Sequence, residues 1–321
     1  MFDDTRPAPC SAARLAPPRR VLVLVNPGAR RGSEGVEPAL ERLGGAGIGM
    51  VVETFSGPDE IGTDILRRAG EVDAIVVCGG DGTLMRAAPA MVKCGLPLGI
   101  LPMGTANDLA RTLHIPDDVA AAAEVIAHGR LRAVDLGSVN DHLFFNVASI
   151  GLSVDLTREL TPALKRRWGR LGYALAGMRV LARARRFSAW IHEGDSRFRT
   201  RTLQIAVGNG RHYGGGAVVE ETAEIDDGHL DLYSLAMRNV WKLALGVRTF
   251  RSGAHGAWTD VQTARGVEFD IETRRPMPVN ADGEIVTSTP AHFRVHPRAI
   301  RVFAPEPPAM VDRASVARPP R

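Results

Sequence analysis

The residue types and spacing most suited to chemistry lie in the segment G-G-D-G-T at residues 79–83, which follows a predicted strand at 73–78. In an open α/β sheet, ligands bind beyond the carboxyl ends of the strands. Glycines let a backbone approach a ligand closely, and successive amides leading into a helix make a cradle for an anion. Asp81 could hold Mg²⁺ against phosphate oxygens, because Mg²⁺ favours carboxylate and phosphate ligands. The alternative is a tight turn in which Asp81 caps the following helix.

A second segment with the same layout lies at residues 99–111, G-I-L-P-M-G-T-A-N-D-L-A-R. A short predicted strand is again followed by a glycine turn and a helix. Either Thr105 or Asn107 could cap that helix, or Thr105 could bind a phosphate. Because neighbouring parallel strands end at the same edge, the two segments together predict a nucleotide site built from two loops. The turn N-P-G at 26–28 follows the first predicted strand, and it is also typical of a plain turn.

Two acidic segments lie in the second half of the chain. In Asp282-Gly283-Glu284 the two carboxylates fall on the same side of an extended segment, where one of them could act as a general base. An Asp-Gly pair is equally a hairpin signal. The segment A-E-I-D-D-G-H-L-D-L at 223–232 could bind a cation through carboxylates and nearby carbonyls. Its alternative is a solvated hairpin.

The elements that must position these residues change in character along the chain. Predicted strands at 21–25, 50–54, 73–78 and 97–101 are apolar on both faces, and helices separate them. This pattern predicts a parallel sheet covered by helices on both sides. After residue 134, apolar and polar residues alternate within predicted strands at 203–207, 230–235, 267–271 and 292–295, which predicts an antiparallel, sandwich-like part. The predicted helices lie at about 35–43, 59–69, 84–92, 106–112 and 119–128.

The length of 321 residues suits two domains. We place the first at 21–134, completed by the C-terminal segment 296–305, and the second at 135–295. The proline-rich ends, 1–20 and 306–321, are expected to be disordered.

Composition excludes several classes of protein. Apolar residues make up 45% and charged residues 24%, which rules out disordered, collagen-like and coiled-coil chains. The apolar stretches fall short of the ~18 residues that span a bilayer, and no secretory signal is visible. Three cysteines without C-x-x-C spacing exclude a disulfide framework and a four-cysteine zinc site. A cytoplasmic location is therefore expected. The net charge of +4 favours an anionic partner, and no lysine completes a G-x-x-x-x-G-K-[ST] phosphate loop.

Taken together, these segments resemble the diacylglycerol kinase catalytic domain in its bacterial lipid kinase form. The resemblance covers residues 21–303, and the motifs occur in the family's order. G-G-D-G-T alone is shared with NAD kinases and, more distantly, with phosphofructokinases, whereas the whole set is much more specific. The set comprises N-P at 26–27, G-G-D-G-T at 79–83, P-x-G-T-A-N-D-L-A-R at 102–111, F-N at 145–146 with Gly151, G-N-G at 208–210 with G-G-G at 214–216, D-D-G at 226–228 and D-G-E at 282–284.

The resemblance implies an α/β nucleotide-binding domain, similar to NAD kinase and diacylglycerol kinase, followed by a β-sandwich-like lipid-substrate domain with the active site in the cleft. It implies an ATP- and Mg²⁺-dependent kinase that phosphorylates a lipid hydroxyl. Diacylglycerol is the default acceptor, and a sphingoid base or phosphatidylglycerol are close alternatives. Glu284 matches the proton acceptor, with Asp282 as the other acidic candidate and Asp81 as a further catalytic carboxylate. The residues implied to bind ATP are Asn26, Thr54, Gly79, Gly80, Asp81, Gly82, Thr83, Leu84, Met85, Gly104, Thr105 and Asn107.

The resemblance also implies a structural Mg²⁺ site at Asp227, with the carbonyls of Glu224 and His229. The chain departs from the family at Met85, where relatives often have Asn, so a nucleotide contact would be lost there. Without a phosphate-loop lysine, an arginine must help to offset the phosphate charge. Candidates for that role are Arg86 and Arg111.

A kinase of membrane lipids must reach a bilayer, and the helical stretch at 157–186 is the candidate contact. Its apolar residues recur at spacings of three and four, and nine basic residues accompany the single acid Glu159. Such a basic amphipathic helix is typical of a surface that meets anionic lipid. The alternative is a helix packed on its own domain with a solvated basic face.

The expected partner is therefore a lipid substrate at an anionic membrane surface, reached by peripheral association. No nucleic-acid partner is expected, and a homodimer is considered. One rival function is a NAD kinase-like phosphotransferase with a soluble acceptor. The other is a protein that binds nucleotide or lipid without turnover, which Met85 favours.

Overall fold

The computed structural model describes residues 17–28, 33–55, 57, 60–128, 130–159, 180, 183–194, 196–209, 212–213, 217–218, 225–236 and 261–306. The predicted disordered ends lie almost entirely outside these residues. So do Glu224, the G-G-G at 214–216 and most of the predicted amphipathic helix at 157–186. Within the described ranges, no helix is both long enough and apolar enough to span a bilayer.

The first part of the fold is a parallel sheet with strand order β2-β1-β3-β4. Its strands are β1 (Arg20–Val25), β2 (Gly49–Thr54), β3 (Ala74–Gly79) and β4 (Leu98–Pro102). Every residue of β3 and β4 is buried, as a sheet covered on both faces requires. The predicted α/β part is thereby confirmed. A 3₁₀ turn at Ser33–Val36 precedes the helices α1 (Glu37–Gly45), α2 (Glu60–Arg68), α3 (Asp81–Cys94), α4 (Asp108–Thr112) and α5 (Val119–Ala127).

Helix α3 begins at Asp81, earlier than the predicted start at residue 84. The last three residues of G-G-D-G-T therefore form the first helical turn, and Gly80 is the N-cap without a side-chain capping bond. A helix N-terminus of this kind presents its first amide groups to whatever lies in front of it. The backbone amides that were predicted to bind an anion from a loop therefore belong to the first turn of a helix.

The second part is a β-sandwich. One of its sheets has the strand order β14-β13-β10-β7-β16-β17, and the facing strands belong to the sheet that also contains β1–β4. Phe269 and Ile271 of one layer pack with Ile205 and Val279 of the other in a buried core. The predicted sandwich-like part is confirmed. Its elements are β5 (Leu131–Val139), β6 (His142–Phe144), β7 (Val147–Gly151), α6 (Leu152–Glu159), β8 (Phe187–Glu193), β9 (Ser196–Thr202), β10 (Gln204–Gly208), β11 (His212–Tyr213), β12 (Ala217–Val218), β13 (Leu230–Leu235), β14 (Val261–Gly266), β15 (Glu268–Thr273), β16 (Pro278–Ala281), β17 (Glu284–Ser288) and β18 (Ala291–Phe303).

Strand β18 joins the two parts into one continuous sheet. Its beginning pairs with β15, whereas near its end Val302 pairs in parallel with Leu98 of β4. The pairing of β18 with β5 shifts register between His296 and Ile300, and Arg298 within that bulge has a φ of 53°. The buried Asp135 carboxylate stabilises the bulge by accepting a 2.6 Å hydrogen bond from the amide of Arg298. The domain boundaries at 134/135 and 295/296, which fall inside β5 and β18, stay a prediction.

Met85 on α3 lies at the junction of the two hydrophobic cores. It is partly buried, and it packs both against the core of the α/β part and against the core of the sandwich. An apolar side chain suits this position because its surroundings on both sides are apolar. Met85 is therefore accommodated by packing.

Candidate active site

A cavity of about 550 Å³ lies where the parallel strands end. The residues that directly follow β1, β3 and β4 line one side of it, and the turn between β16 and β17 reaches it from the sandwich. Its volume falls within the range of small-molecule sites. The cavity is lined by Asn26, Pro27, Gly28, Phe55, Gly57, Ile61, Gly80, Gly82, Thr83, Arg86, Gly104, Thr105 and Glu284.

The two glycine segments predicted to form one site do touch each other. A Cβ atom on Gly80 would lie 2.9 Å from the Cα of Gly104, and one on Gly79 would lie 2.6 Å from the side chain of Thr83. Each of these positions is too tight for a side chain. Glycine at these positions is therefore required by the contact between the loops and by the turn into α3. Gly82 is different, because the atom nearest to a Cβ placed there is Glu284 Oε1, at 3.5 Å.

Polar side chains connect the loops around the cavity. The Asn26 side-chain amide donates a 2.9 Å hydrogen bond to Thr83 Oγ1, which ties the N-P turn to the start of α3. Asn107 Oδ1 accepts from the amide of Gly104 at 2.9 Å, so this side chain braces its own loop. Thr105 is exposed and lines the cavity. Of the two predicted roles in this segment, bracing fits Asn107 and contact with a ligand fits Thr105.

Asp81 belongs to the first glycine segment, and its side chain bonds to the second. Its carboxylate accepts a 3.2 Å hydrogen bond from the amide of Leu109 in the first turn of α4. Burial raises the pKa of Asp81, the Leu109 amide opposes that effect, and the charge of Asp108 adds to the increase. The carboxylate therefore stabilises the arrangement of the two loops, although it is not itself among the residues that line the cavity.

Six of the twelve predicted nucleotide residues do not line the cavity: Thr54, Gly79, Asp81, Leu84, Met85 and Asn107. Leu84 is 2% exposed and belongs to the α/β core, so only its backbone could meet a ligand. Met85 packs between the two cores. Thr54 is exposed at the end of β2, next to Phe55, which does line the cavity.

Asp282 is held by three consecutive backbone amides. Its carboxylate accepts hydrogen bonds from Phe145 at 2.6 Å, from Asn146 at 3.1 Å and from Val147 at 3.0 Å. Burial raises the pKa of Asp282 to about 6; these amides pull it down, and the charge of Asp81 pushes it up. Asp282 is not among the residues that line the cavity, and its carboxylate already accepts three amide hydrogen bonds, so it is not placed to take a proton from a substrate. Asp282 therefore positions the D-G-E turn against the F-N segment.

Glu284 is the exposed acid of the same turn, and it spans the cleft. Its Oε1 accepts a 2.8 Å hydrogen bond from Arg86 Nη2, one turn into α3. Because a Cβ atom on Gly82 would lie 3.5 Å from that oxygen, the carboxylate lies beside the first turn of α3. Arg111 on α4 is not among the cavity-lining residues of the described chain. Of the two arginine candidates, the geometry selects Arg86.

Asn209 of the G-N-G motif and Phe145 of the F-N motif form a buried brace behind the site. The side-chain amide of Asn209 donates to the carbonyl of Phe145 at 2.8 Å and to that of Asp135 at 2.9 Å. The Phe145 amide in turn binds Asp282. These two residues thus hold the D-G-E turn in place, and neither of them lines the cavity.

The predicted structural metal site is partly visible. Asp227 Oδ1 accepts the amide of His229 at 2.9 Å, and Oδ2 lies 2.6 Å from Arg265 Nη2. Arg265 thus supplies positive charge at the carboxylate that the metal would bind, and Glu224 lies outside the described residues. No group of three or more His, Cys, Asp or Glu residues in the described part is arranged to hold a metal ion. The predicted site combines one carboxylate with two backbone carbonyls, of which that of Glu224 is outside the described residues, so it stays a prediction.

Sequence reasoning missed the apolar wall of the cavity, formed by Phe55 and Ile61. Phe55 directly follows β2, the fourth strand to end at this edge of the sheet. An apolar wall in a cavity at the end of a parallel sheet suits the apolar part of a small molecule. An aromatic residue directly after a predicted strand was the available signal.

Comparison with known proteins agrees with this arrangement. Residues 20–139 match the family described as "Diacylglycerol kinase catalytic domain", and residues 146–304 match the "YegS C-terminal NAD kinase beta sandwich-like domain". A Pseudomonas aeruginosa protein named "Probable lipid kinase YegS-like" is 34% identical over 88% of this chain and 94% of its own. A Staphylococcus epidermidis protein named "Diacylglycerol kinase" is 29% identical over 74% of this chain and 75% of its own.

A solved structure shows the same fold. The crystal structure of a diacylglycerol kinase from Bacillus anthracis superposes with a TM-score of 0.71 at 22% identity, covering 90% of this chain and 97% of that chain. The match over both parts confirms the predicted order of an α/β part followed by a sandwich-like part. The chain belongs to the diacylglycerol kinase and YegS-like lipid kinase family.

Proposed function

We propose that this protein is an ATP- and Mg²⁺-dependent kinase that phosphorylates the hydroxyl group of a membrane lipid, with diacylglycerol as the acceptor and phosphatidic acid as the product. One observation carries the proposal. The exposed carboxylate of Glu284 stands over Gly82, at the uncapped N-terminus of α3. A proton acceptor thereby faces an anion cradle across the cleft, which is the arrangement that phosphoryl transfer to an alcohol requires.

The nucleotide would lie along the edge of the parallel sheet. Amide groups at the start of α3 favour negative charge in front of them, and the exposed Thr105 and the Asn26 turn border the same space. Phe55 and Ile61 would contact the apolar part of the nucleotide. Mg²⁺ would be held by phosphate oxygens and water together with Asp81, since Mg²⁺ keeps several waters and takes few protein ligands. Bound there, it would neutralise phosphate charge.

The chemical step assigns one role to Glu284. Its carboxylate accepts the proton of the lipid hydroxyl while the hydroxyl oxygen forms a bond to the terminal phosphorus of ATP. The bond from that phosphorus to the bridging oxygen breaks, and ADP leaves with the electron pair. Asp282 is the weaker candidate, because three backbone amides already occupy its carboxylate. It serves instead to hold Glu284 in position.

The membrane contact remains a proposal based on sequence. The stretch 157–186 carries nine basic residues and one acid. Its described C-terminal end presents Arg183 and Arg185. Basic residues beside apolar ones favour peripheral binding to anionic lipid. If this surface binds the membrane, reversing the charge of Arg183 and Arg185 should weaken sedimentation of the protein with vesicles rich in phosphatidylglycerol. Sedimentation with neutral vesicles should not change.

A second candidate is a kinase with a soluble acceptor such as NAD. It is favoured by the match of residues 146–304 to a sandwich described as NAD kinase-like. Transfer of label from ATP separates the two candidates when mixed micelles offer diacylglycerol, sphingosine or phosphatidylglycerol in parallel with soluble NAD. The assay is run with Mg²⁺ and again with a chelator. Label in one lipid that disappears with the chelator supports the proposal, and label in NAD alone contradicts it.

A further inference from the structure

We propose that Arg86 leaves Glu284 to bind the terminal phosphate of ATP, and that this exchange of partners frees Glu284 to act as the base. The inference rests on the proposed function and deepens it. It assigns to Arg86 a role in sensing whether the nucleotide at the site carries a transferable phosphate.

The position of Arg86 follows from the helix. Arg86 is four residues after Gly82 on α3, so both lie on the same face of the helix, one turn apart. That face borders the cavity, and Gly82 and Arg86 both line it. A phosphate in front of the helix N-terminus would therefore lie within the reach of a long arginine side chain.

The charge at the cavity points to the same role. Among the described residues that line the cavity, Arg86 is the only cation, and Glu284 is the only acid. A nucleotide triphosphate brings several negative charges into this space, and no lysine of a phosphate loop is available to meet them. Arginine is suited to the task because its planar guanidinium binds carboxylate and phosphate oxygens through the same pairs of donors.

The contact with Glu284 indicates which phosphate Arg86 would meet. The base must lie within about 3 Å of the attacking hydroxyl oxygen, and that oxygen bonds to the terminal phosphorus. Arg86 Nη2 lies 2.8 Å from Glu284 Oε1. Arg86 is thus placed beside the phosphate that is transferred rather than those that remain on ADP.

The same contact puts the two partners of Arg86 in competition. While Arg86 is bonded to Glu284, one carboxylate oxygen is occupied and part of the guanidinium is engaged. The terminal phosphate of ATP competes for the guanidinium, and its binding leaves the carboxylate open to the lipid hydroxyl. ADP has no such phosphate, so in the ADP state Arg86 stays with Glu284.

The simplest alternative is an ordinary surface ion pair that only stabilises the closed cleft. The chain offers a matched control for it. Arg42 and Glu124 form an ion pair at the same 2.8 Å, with side chains 56% and 36% exposed, against 36% and 52% for Arg86 and Glu284. Arg42→Gln removes a comparable pair that does not border the cavity.

The first test is the binding of ATP and of ADP to the full chain with Mg²⁺, measured by calorimetry. In Arg86→Gln we expect ATP affinity to fall about tenfold, because one charge-assisted hydrogen bond to phosphate is lost. ADP affinity should stay within about twofold, and Arg86→Lys should recover part of the loss. Arg42→Gln should change neither affinity. An equal loss for ATP and ADP, or no loss, would overturn the proposal.

The second test asks whether Glu284 competes with the phosphate for Arg86. Glu284→Gln should tighten ATP binding more than ADP binding, because the guanidinium is released. In Arg86→Gln/Glu284→Gln that selective gain should be absent, which is a measurable coupling between the two sites. A gain that persists without Arg86 would show general charge relief and overturn the exchange of partners.

These outcomes separate the inference from the proposed function. If the wild type transfers phosphate to lipid but Arg86→Gln keeps its preference for ATP over ADP, the function stands and the role of Arg86 is wrong. If the wild type transfers no phosphate to any lipid but the ATP preference depends on Arg86, the lipid kinase assignment is wrong and the phosphate contact stands.

Discussion

Gly104 lies against Gly80 so closely that a Cβ atom on Gly104 would be 2.5 Å from the Gly80 Cα. The two residues belong to different loops, which follow β3 and β4. Their contact fixes the distance between the start of α3 and the Thr105 side of the cavity. Both loops must therefore be glycine-rich for the cavity to have its shape.

Gly104→Ala tests this contact. The added methyl group cannot be accommodated without moving one loop, so we expect the free energy of unfolding to fall by roughly 1–3 kcal/mol and ATP affinity to fall with it. Urea unfolding and calorimetric ATP binding measure the two effects. Gly45→Ala is the control, because a Cβ there has no neighbour within 4 Å. Normal stability and binding in Gly104→Ala would show that the loops do not touch in solution.

Asp282 should make stability depend on pH in an unusual direction. Burial raises its pKa to about 6 in the folded chain, against about 3.9 when unfolded. Between these values the folded state holds the proton more tightly, so the free energy of unfolding contributed by Asp282 falls as pH rises from about 4 to about 6. Above pH 6 this contribution, roughly 2–3 kcal/mol, is lost.

Urea unfolding of the wild type and Asp282→Asn at several pH values between 4.5 and 7.5 measures this effect. The difference in stability between the two proteins isolates the contribution of the carboxyl group. As pH rises to about 6, the free energy of unfolding of the wild type should fall relative to that of Asp282→Asn. Above pH 6 the difference should level off. A difference that stays constant, or that moves in favour of the wild type, would mean that the three amides keep Asp282 ionised throughout.

Much of the fold follows from local pattern. The continuous apolar runs at 21–25 and 74–78 correctly predict buried parallel strands, and the alternation at 230–235 correctly predicts β13. The start of α3 was misplaced because Asp81-Gly82-Thr83 has the composition of a turn. The end of β18 was recognised only as a short segment, since Pro297 and Arg298 interrupt the pattern at a bulge that long-range pairing with β5 maintains.

The site was predictable to a similar degree. Motif composition correctly brought the two glycine segments together, because both follow adjacent parallel strands. It could not show that Arg86 meets Glu284, which is 198 residues away. Nor could it distinguish Glu284 from Asp282, since that distinction depends on backbone amides from 145–147. Such contacts arise from tertiary structure, which spacing alone does not encode.

Arg265 is expected to stabilise the turn at Asp227. Arg265→Gln removes the 2.6 Å ion pair with a carboxylate that is mostly buried, so the melting temperature should fall. Arg274 is an exposed arginine directly after β15, and Arg274→Gln serves as the control. If a bound metal supplies the charge instead, the wild type should lose thermal stability on chelation, and Arg265→Gln should melt at the wild-type temperature.

Cys78 should resist thiol reagents in the folded protein. It is fully buried in β3, and burial raises the pKa of its thiol to about 12, whereas the thiolate is the reactive form. In a Cys10→Ser/Cys94→Ser variant, labelling by a maleimide should proceed only as fast as the chain unfolds. Urea should accelerate it sharply. Rapid labelling without denaturant would contradict the position of β3 in the core.

The most direct test of the central claim is transfer of labelled phosphate from ATP to diacylglycerol in mixed micelles by wild type, Glu284→Gln and Arg42→Gln, with ATP binding measured on the same samples. We predict that Glu284→Gln binds ATP but transfers about 100-fold less phosphate or worse, while Arg42→Gln matches the wild type. Transfer by Glu284→Gln at the wild-type rate would remove Glu284 as the proton acceptor. Absence of transfer by the wild type to every lipid offered would contradict the lipid kinase assignment itself.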